Sequence, residues 1–68
     1  MTRNKYVVAI RDVLIDPAQS SVLEQVNPRF FYYLTGRYVR TANLNTRETN
    51  GSEHDWKHLR KILKLEDV

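Results

Sequence analysis

The spacing of hydrophobic and polar positions changes several times along the chain, and each change marks a predicted element. The first apolar segment, Tyr6–Ile15, is rich in the β-branched residues that favour strands. Polar residues at positions 11 and 12 break strict alternation, and the spacing of Tyr6, Ile10 and Val13 also suits a helix. The pattern predicts a strand with a bulge at the polar pair, and a helix is the alternative.

Helix-start signals follow, where an acid or amide precedes proline at 16–17 and again at 27–28. Such side chains accept hydrogen bonds from free backbone N–H groups, and proline suits the first helical position because no donor is needed there. The first signal predicts a helix over Pro17–Val26 that buries Val22, Leu23 and Val26.

The second signal predicts a short helix, Pro28–Leu34. Thr35-Gly36 would end this helix, because glycine readily takes the left-handed conformation. A β-hairpin with strands Phe30–Leu34 and Arg37–Ala42 is the alternative, since the aromatic content of the segment favours strands.

The C-terminal third contains a predicted strand and the most regular helix of the chain. Arg37–Leu44 includes several strand-forming residues, and a polar loop follows it. The last helix should run from Glu53 to about Leu65, with Ser52 as its cap and Asp55 at the capping-box position.

The last helix has an apolar face and a basic face. Its apolar residues fall within about 120° of one another and should pack on the sheet. They are Trp56, Leu59, Ile62 and Leu63. The basic ridge opposite suits phosphate contact, and a solvated helix face is its ordinary explanation. The candidate nucleic-acid-binding residues are Lys57, Arg60, Lys61 and Lys64.

Aromatic residues and arginines are concentrated between Arg29 and Arg40. No regular element can bury four consecutive rings on one face, so some rings should reach the surface or a partner. Phe30 and Phe31 are the expected core members. Exposed tyrosines and arginines are typical of interface hot spots, although they also suit stacking on bases or covering the core edge. The candidate protein-binding residues are Tyr32, Tyr33, Arg37, Tyr38 and Arg40.

These elements predict an α+β fold in a single small domain over residues 1–68. Two antiparallel strands, Tyr6–Ile15 and Arg37–Leu44, would carry the C-terminal amphipathic helix, with short helices between them. An all-α fold is the alternative if the first segment is helical. Because a two-stranded sheet is marginal alone and a short chain has a small core, we expect reinforcement from the packing of the last helix, from a second subunit in a homo-oligomer or from docking on a larger partner.

Composition argues against several classes of function. The chain has no cysteine, which excludes disulfides and thiolate metal sites. Its first apolar segment is too short for a signal-peptide core or a membrane span, so we expect no membrane association and a cytoplasmic location. His54 and His58 resemble a zinc-protease spacing but lack an evident third ligand, so we expect no metal and no cofactor. Without a nucleophile–base pair or a glycine-rich phosphate loop, we expect no enzyme activity.

Two hypotheses about function remain, and the net charge of +3 permits both. The first is a non-enzymatic protein that engages a larger protein through its tyrosines and arginines. By analogy of class alone, phage or mobile-element accessory proteins that modulate a host enzyme have this size and composition. The alternative is a nucleic-acid-binding protein that contacts phosphates through the basic ridge.

Overall fold

The computed structural model describes residues 4–39 and 51–68, and these residues form four α-helices. The helices are α1 (Lys5–Ile15), α2 (Pro17–Val26), α3 (Pro28–Tyr38) and α4 (Ser52–Leu63). No strand is present among the described residues, so the expected α+β fold with two antiparallel strands is wrong. The all-α alternative is the one that fits.

The predicted strand Tyr6–Ile15 is the helix α1, although its sequence is rich in β-branched residues. Asn4 caps this helix, because its side-chain oxygen accepts hydrogen bonds from the backbone N–H groups of Tyr6 at 2.8 Å and Val7 at 3.3 Å. Val7 and Ile10 are fully buried. A β-branched residue costs up to about 0.7 kcal/mol in a helix relative to alanine, whereas burying its side chain contributes about 1.5–3 kcal/mol. Burial therefore outweighs strand propensity.

The core forms around α1, which contacts each of the other three helices, and α2 also contacts α3 and α4. Each outer helix contributes one fully buried leucine, namely Leu23, Leu34 and Leu59. On α4 the predicted apolar face is confirmed, since Trp56 is also buried and Ile62 packs against the core. It packs on helices, however, because the described chain offers no sheet.

The two helix starts that precede prolines are confirmed. Asp16 Oδ1 accepts a hydrogen bond from the Ala18 N–H at 3.0 Å, and Asn27 Oδ1 accepts one from the Phe30 N–H at 3.1 Å. The Asn27 N–H in turn donates to the Leu23 carbonyl at 2.9 Å. One asparagine therefore ends α2 and begins α3, and α2 has its predicted bounds.

Of the apolar side chains expected to be buried by α2, only Leu23 is buried. Val22 is 48% exposed and Val26 is 62% exposed, so the prediction for both valines is wrong. At 100° per residue, Val22 lies about 100° from Leu23 around the helix and Val26 about 60°. Only the side of α2 that carries Leu23 packs against the core, and both valines lie on the outer surface beside Leu23.

The predicted end of α3 at Thr35-Gly36 is also wrong, because the helix continues through Gly36 to Tyr38. Arg37 and Tyr38 are therefore helical instead of opening the strand Arg37–Leu44, and residues 40–44 of that strand lie outside the described residues. The hairpin alternative fails for the same reason. An internal glycine costs a helix about 1 kcal/mol, and burial of the large Tyr38 ring beyond it more than offsets this cost.

Both ends of α4 differ from the prediction. The cap residue is Gly51, at a left-handed φ of 79°, and Ser52 is instead the buried first residue of the helix. The Asp55 side chain is also buried and bonds to α3 instead of capping α4. The helix ends at Leu63, and Lys64 takes the left-handed conformation with φ 56°.

Candidate interaction surface on α3 and α4

α3 places the predicted protein-binding residues in different environments. Tyr32 is 62% exposed and Tyr33 is 45% exposed. Arg37 is half-buried, and Tyr38 belongs to the core with 2% exposure. Arg40 lies outside the described residues. The role of these residues in binding stays a prediction, and their burial decides which of them a partner can reach.

The carboxylate of Asp55 joins α4 to α3. Its Oδ2 atom accepts hydrogen bonds from the Tyr38 hydroxyl at 2.6 Å and from the Tyr33 hydroxyl at 3.0 Å. Arg37 Nη1 donates to the Tyr33 hydroxyl oxygen at 2.9 Å and lies 3.7 Å from Asp55 Oδ2. A buried charge is tolerated when it is paired and hydrogen-bonded, and this carboxylate has both kinds of partner.

These contacts change the proton affinity of two side chains. The pKa of Tyr38 is raised, first by burial and then by its hydrogen bond to Asp55 and the negative charge there. The pKa of Arg37 is raised, chiefly by its hydrogen bond with Tyr33. At neutral pH, Tyr38 therefore keeps the proton that it donates, and Arg37 keeps the charge that balances the carboxylate.

The sequence predicts Asp55 only as part of a helix cap, and its contacts with α3 emerge from the structure. A sequence signal for them does exist. Asp55, Leu59 and Ile62 follow i, i+4, i+7 spacing, so the carboxylate lies on the apolar side of an amphipathic helix. An acidic residue on that side needs hydrogen-bond donors from elsewhere in the fold, and the tyrosines of α3 supply them.

The ring of Phe30 lies between an exposed tyrosine of α3 and a histidine of α4. It stacks on Tyr33 with a centroid distance of 6.0 Å and an interplanar angle of 19°. It stacks on His58 at 4.3 Å and 30°. Phe30 was expected to be a core member; the structure places it half-buried, packed against the edge of the core. Through this stack, the exposed sides of α3 and α4 adjoin.

The predicted basic ridge of α4 is exposed at its three lysines, Lys57, Lys61 and Lys64. Arg60 is half-buried, and its buried Nε atom has no hydrogen-bond partner among the described residues. Lys57 Nζ lies 3.0 Å from Glu53 Oε2, and the hydrogen bond with this carboxylate raises the pKa of Lys57. The pair neutralises part of the ridge.

The exposed parts of the two helices form one continuous surface around Phe30. On α4, His58 and Lys61 line a shallow depression together with His54 and Lys57. On α3, Tyr33 and Arg37 lie beside the Phe30 ring. We name the combined set the aromatic–basic surface; its members are Phe30, Tyr33, Arg37, His58 and Lys61.

This surface offers aromatic rings, a guanidinium and an amine, which suit noncovalent recognition of a partner with negative charge. Within the described ranges, no group of three histidine, aspartate or glutamate side chains is placed to hold a metal ion. None of the described helices combines the length and apolar character that a membrane span requires.

Comparison of the chain with models of protein families, with curated proteins and with solved structures finds no match.

Proposed function

We propose that this chain is a small non-enzymatic binding protein that engages a larger protein through the aromatic–basic surface. The observation that supports this most directly is the hydrogen-bond network of Asp55, which holds Tyr33 and Arg37 in place while both keep exposed area. Tyrosine and arginine dominate interface hot spots. A side chain that is already held in one position loses little conformational entropy when a partner binds.

The charge of the surface favours a partner with an acidic patch. Lys61 contributes an exposed positive charge, and the guanidinium of Arg37, whose charge balances the buried Asp55 carboxylate, remains partly exposed beside it. Cations at the rim of an interface steer an acidic partner toward it, and aromatic rings fill its centre. A domain of this size acts by covering a surface, so the simplest effect on a larger enzyme is to block or redirect it, as phage or mobile-element accessory proteins do.

Nucleic-acid binding is the second candidate function, and three exposed lysines favour it, two on α4 and Lys64 directly after it. Two features weigh against it. Base stacking needs free ring faces, and the Phe30 ring already stacks on one face of His58 at 4.3 Å. Phosphate binding gains strength with the number of unpaired cations, and Glu53 pairs with Lys57.

Affinity capture by the tagged chain from cells that contain it, followed by titration of the captured protein, tests the proposal. Tyr33→Ala should weaken the complex by at least about 2 kcal/mol, roughly 30-fold. Lys61→Glu should weaken it as well. Lys5→Glu makes the same change in net charge on an exposed position of α1, which is not a member of the surface, and should have little effect.

Tyr32→Ala is the matched control on α3, because it removes an exposed ring that lies about 100° from Tyr33 around the helix and outside the aromatic–basic surface, so this variant should bind normally. Equal losses in Lys61→Glu and Lys5→Glu would show that only net charge matters and would contradict the assigned surface. The nucleic-acid alternative is tested with single- and double-stranded DNA and RNA at about 50 and 200 mM salt. Binding that falls steeply with salt and survives Tyr33→Ala but not Lys61→Glu would replace the protein partner with a nucleic acid.

A further inference from the structure

α2 carries an exposed apolar stripe on its outer side. Ala18, Val22 and Val26 recur every four residues, lie within about 80° of one another and are all exposed. We name these three residues the valine stripe. Valine is a poorer helix former than lysine or glutamate, so the stability of α2 by itself does not favour valine at these positions. Contiguous exposed apolar residues on a small domain mark interaction surfaces.

The valine stripe is uncharged, and this property narrows the choice of partner. Glu24 is the only ionisable residue of α2, and it lies about 160° from Val22 around the helix. A strongly acidic or basic partner would find no opposite charge on the stripe. A second copy of the same stripe would meet matching apolar side chains and no like charge, although the chain as a whole carries a net charge of +3.

We propose that the valine stripe packs against the same stripe of a second copy of this chain, with the two α2 helices antiparallel around a two-fold axis at Val22. The spacing is self-complementary, because Val22 then faces its own counterpart and Ala18 faces Val26. A small residue opposite a larger one lets the helices approach closely. Antiparallel packing also sets the positive end of each helix dipole beside the negative end of the other.

A groove beside the stripe enlarges the contact. Leu63 and Leu65, at the C-terminal end of α4, line it together with Ala18, Gln19 and Val22. In the antiparallel pair, Val26 of the second copy lies opposite Ala18 and therefore at this groove. The stripe is only about 12 Å long, so even with the groove the contact is smaller than a standard interface, which buries roughly 800 Å² per partner. We therefore expect a weak dimer with a Kd on the order of 100 µM.

The dimer would carry two aromatic–basic surfaces, and a partner with two matching sites would gain avidity. That consequence rests on the proposed function, whereas the dimer itself does not. A failure of either idea can therefore be recognised separately, because self-association is measured on the isolated chain.

Sedimentation equilibrium of the full chain between about 10 µM and 1 mM, a range that brackets the expected Kd, tests the dimer. Val22→Glu and Val22→Lys should each raise the Kd at least about tenfold, because like charges would meet on the two-fold axis. Ser21→Glu adds a charge to an exposed position of α2 about 100° from Val22 and should dimerise like the unchanged chain.

An equimolar mixture of Val22→Glu and Val22→Lys should restore the dimer, since opposite charges then meet on the axis. Recovery in the mixture also shows that neither variant lost the dimer by unfolding, and circular dichroism checks each one separately. The proposal is overturned if the unchanged chain is monomeric at 1 mM, if Val22→Glu alone still dimerises, or if the mixture stays monomeric.

Discussion

Among single residues, Tyr38 and Asp55 most directly link function to stability. The hydroxyl of Tyr38 donates its 2.6 Å hydrogen bond to a carboxylate that is itself buried. The same oxygen of Asp55 accepts from Tyr33, which is partly exposed. One carboxylate therefore both stabilises the core and positions a candidate binding residue, so the two tyrosines should respond differently to loss of their hydroxyls.

Tyr38→Phe should lower the free energy of unfolding by about 1.5–3 kcal/mol, the usual contribution of a hydrogen bond to a charged group. Tyr33→Phe removes a bond to the same oxygen, but water reaches Tyr33, so its loss should stay below about 1 kcal/mol. Urea unfolding followed by the fluorescence of the buried Trp56 measures both. A larger loss in Tyr33→Phe than in Tyr38→Phe would show that the network is not arranged as described.

At the scale of elements, the ends of α3 and α4 show that a glycine in the sequence and a left-handed residue in the fold need not coincide. Gly36 lies inside α3, where its backbone is helical. Lys64 takes the left-handed conformation after α4, and the Leu65 N–H donates to the Arg60 carbonyl at 2.9 Å across it. Glycine is the usual residue in such a helix ending, so the conformation of Lys64 is strained.

Lys64→Gly should therefore raise the free energy of unfolding by about 0.5–1 kcal/mol, because a left-handed conformation costs a non-glycine residue roughly 1–2 kcal/mol and glycine returns part of this as unfolded-state entropy. Lys61→Gly, inside the exposed face of α4, should lower it by about 1 kcal/mol. Thermal unfolding should show Tm shifts of opposite sign, of about 4–8 °C per kcal/mol. Shifts of the same sign would contradict the left-handed assignment of Lys64.

At the scale of the whole molecule, α1 supplies the apolar centre, and long side chains connect α3 to α4. The hydrogen bonds of Asp55 and the ring stack of Phe30 on His58 make that connection. Because the connection depends on a protonated tyrosine, the free energy of unfolding should fall when the pH becomes alkaline.

Unfolded Tyr38 loses its proton near pH 10, whereas the folded state holds it to higher pH because burial and Asp55 raise its pKa. Its contribution to stability is therefore complete below about pH 10 and is lost as pH rises toward the folded pKa. Above about pH 10, the Tyr38 hydroxyl alone should lower the free energy of unfolding by about 1.4 kcal/mol for each pH unit. Urea titrations at several alkaline pH values measure the slope.

Tyr38→Phe lacks the titrating hydroxyl and serves as the reference for the other tyrosines and lysines. Its stability should fall less steeply than that of the unchanged chain, and the difference in slope isolates Tyr38. Parallel pH profiles would mean that Tyr38 ionises equally well in the folded state.

The sequence was most informative where an interaction is local. The caps at Asp16 and Asn27 accept hydrogen bonds from backbone groups within three residues, so the starts of α2 and α3 could be predicted from the neighbouring residues. The amphipathic pattern of α4 likewise predicted its buried and lysine-bearing faces. These features need no knowledge of what packs against them.

Tertiary structure decided the rest, because burial depends on residues that are distant in sequence. α1 is helical because three other helices cover Val7, Ile10 and Val13, and α3 passes through Gly36 because Tyr38 reaches Asp55 on another helix. Packing turns only the Leu23 side of α2 toward the core and leaves Val22 and Val26 exposed. By itself, therefore, the sequence determined the starts of α2 and α3 and the two faces of α4, because these depend on neighbouring residues, and only the packing of the helices decided which tyrosines and valines lie on the surface.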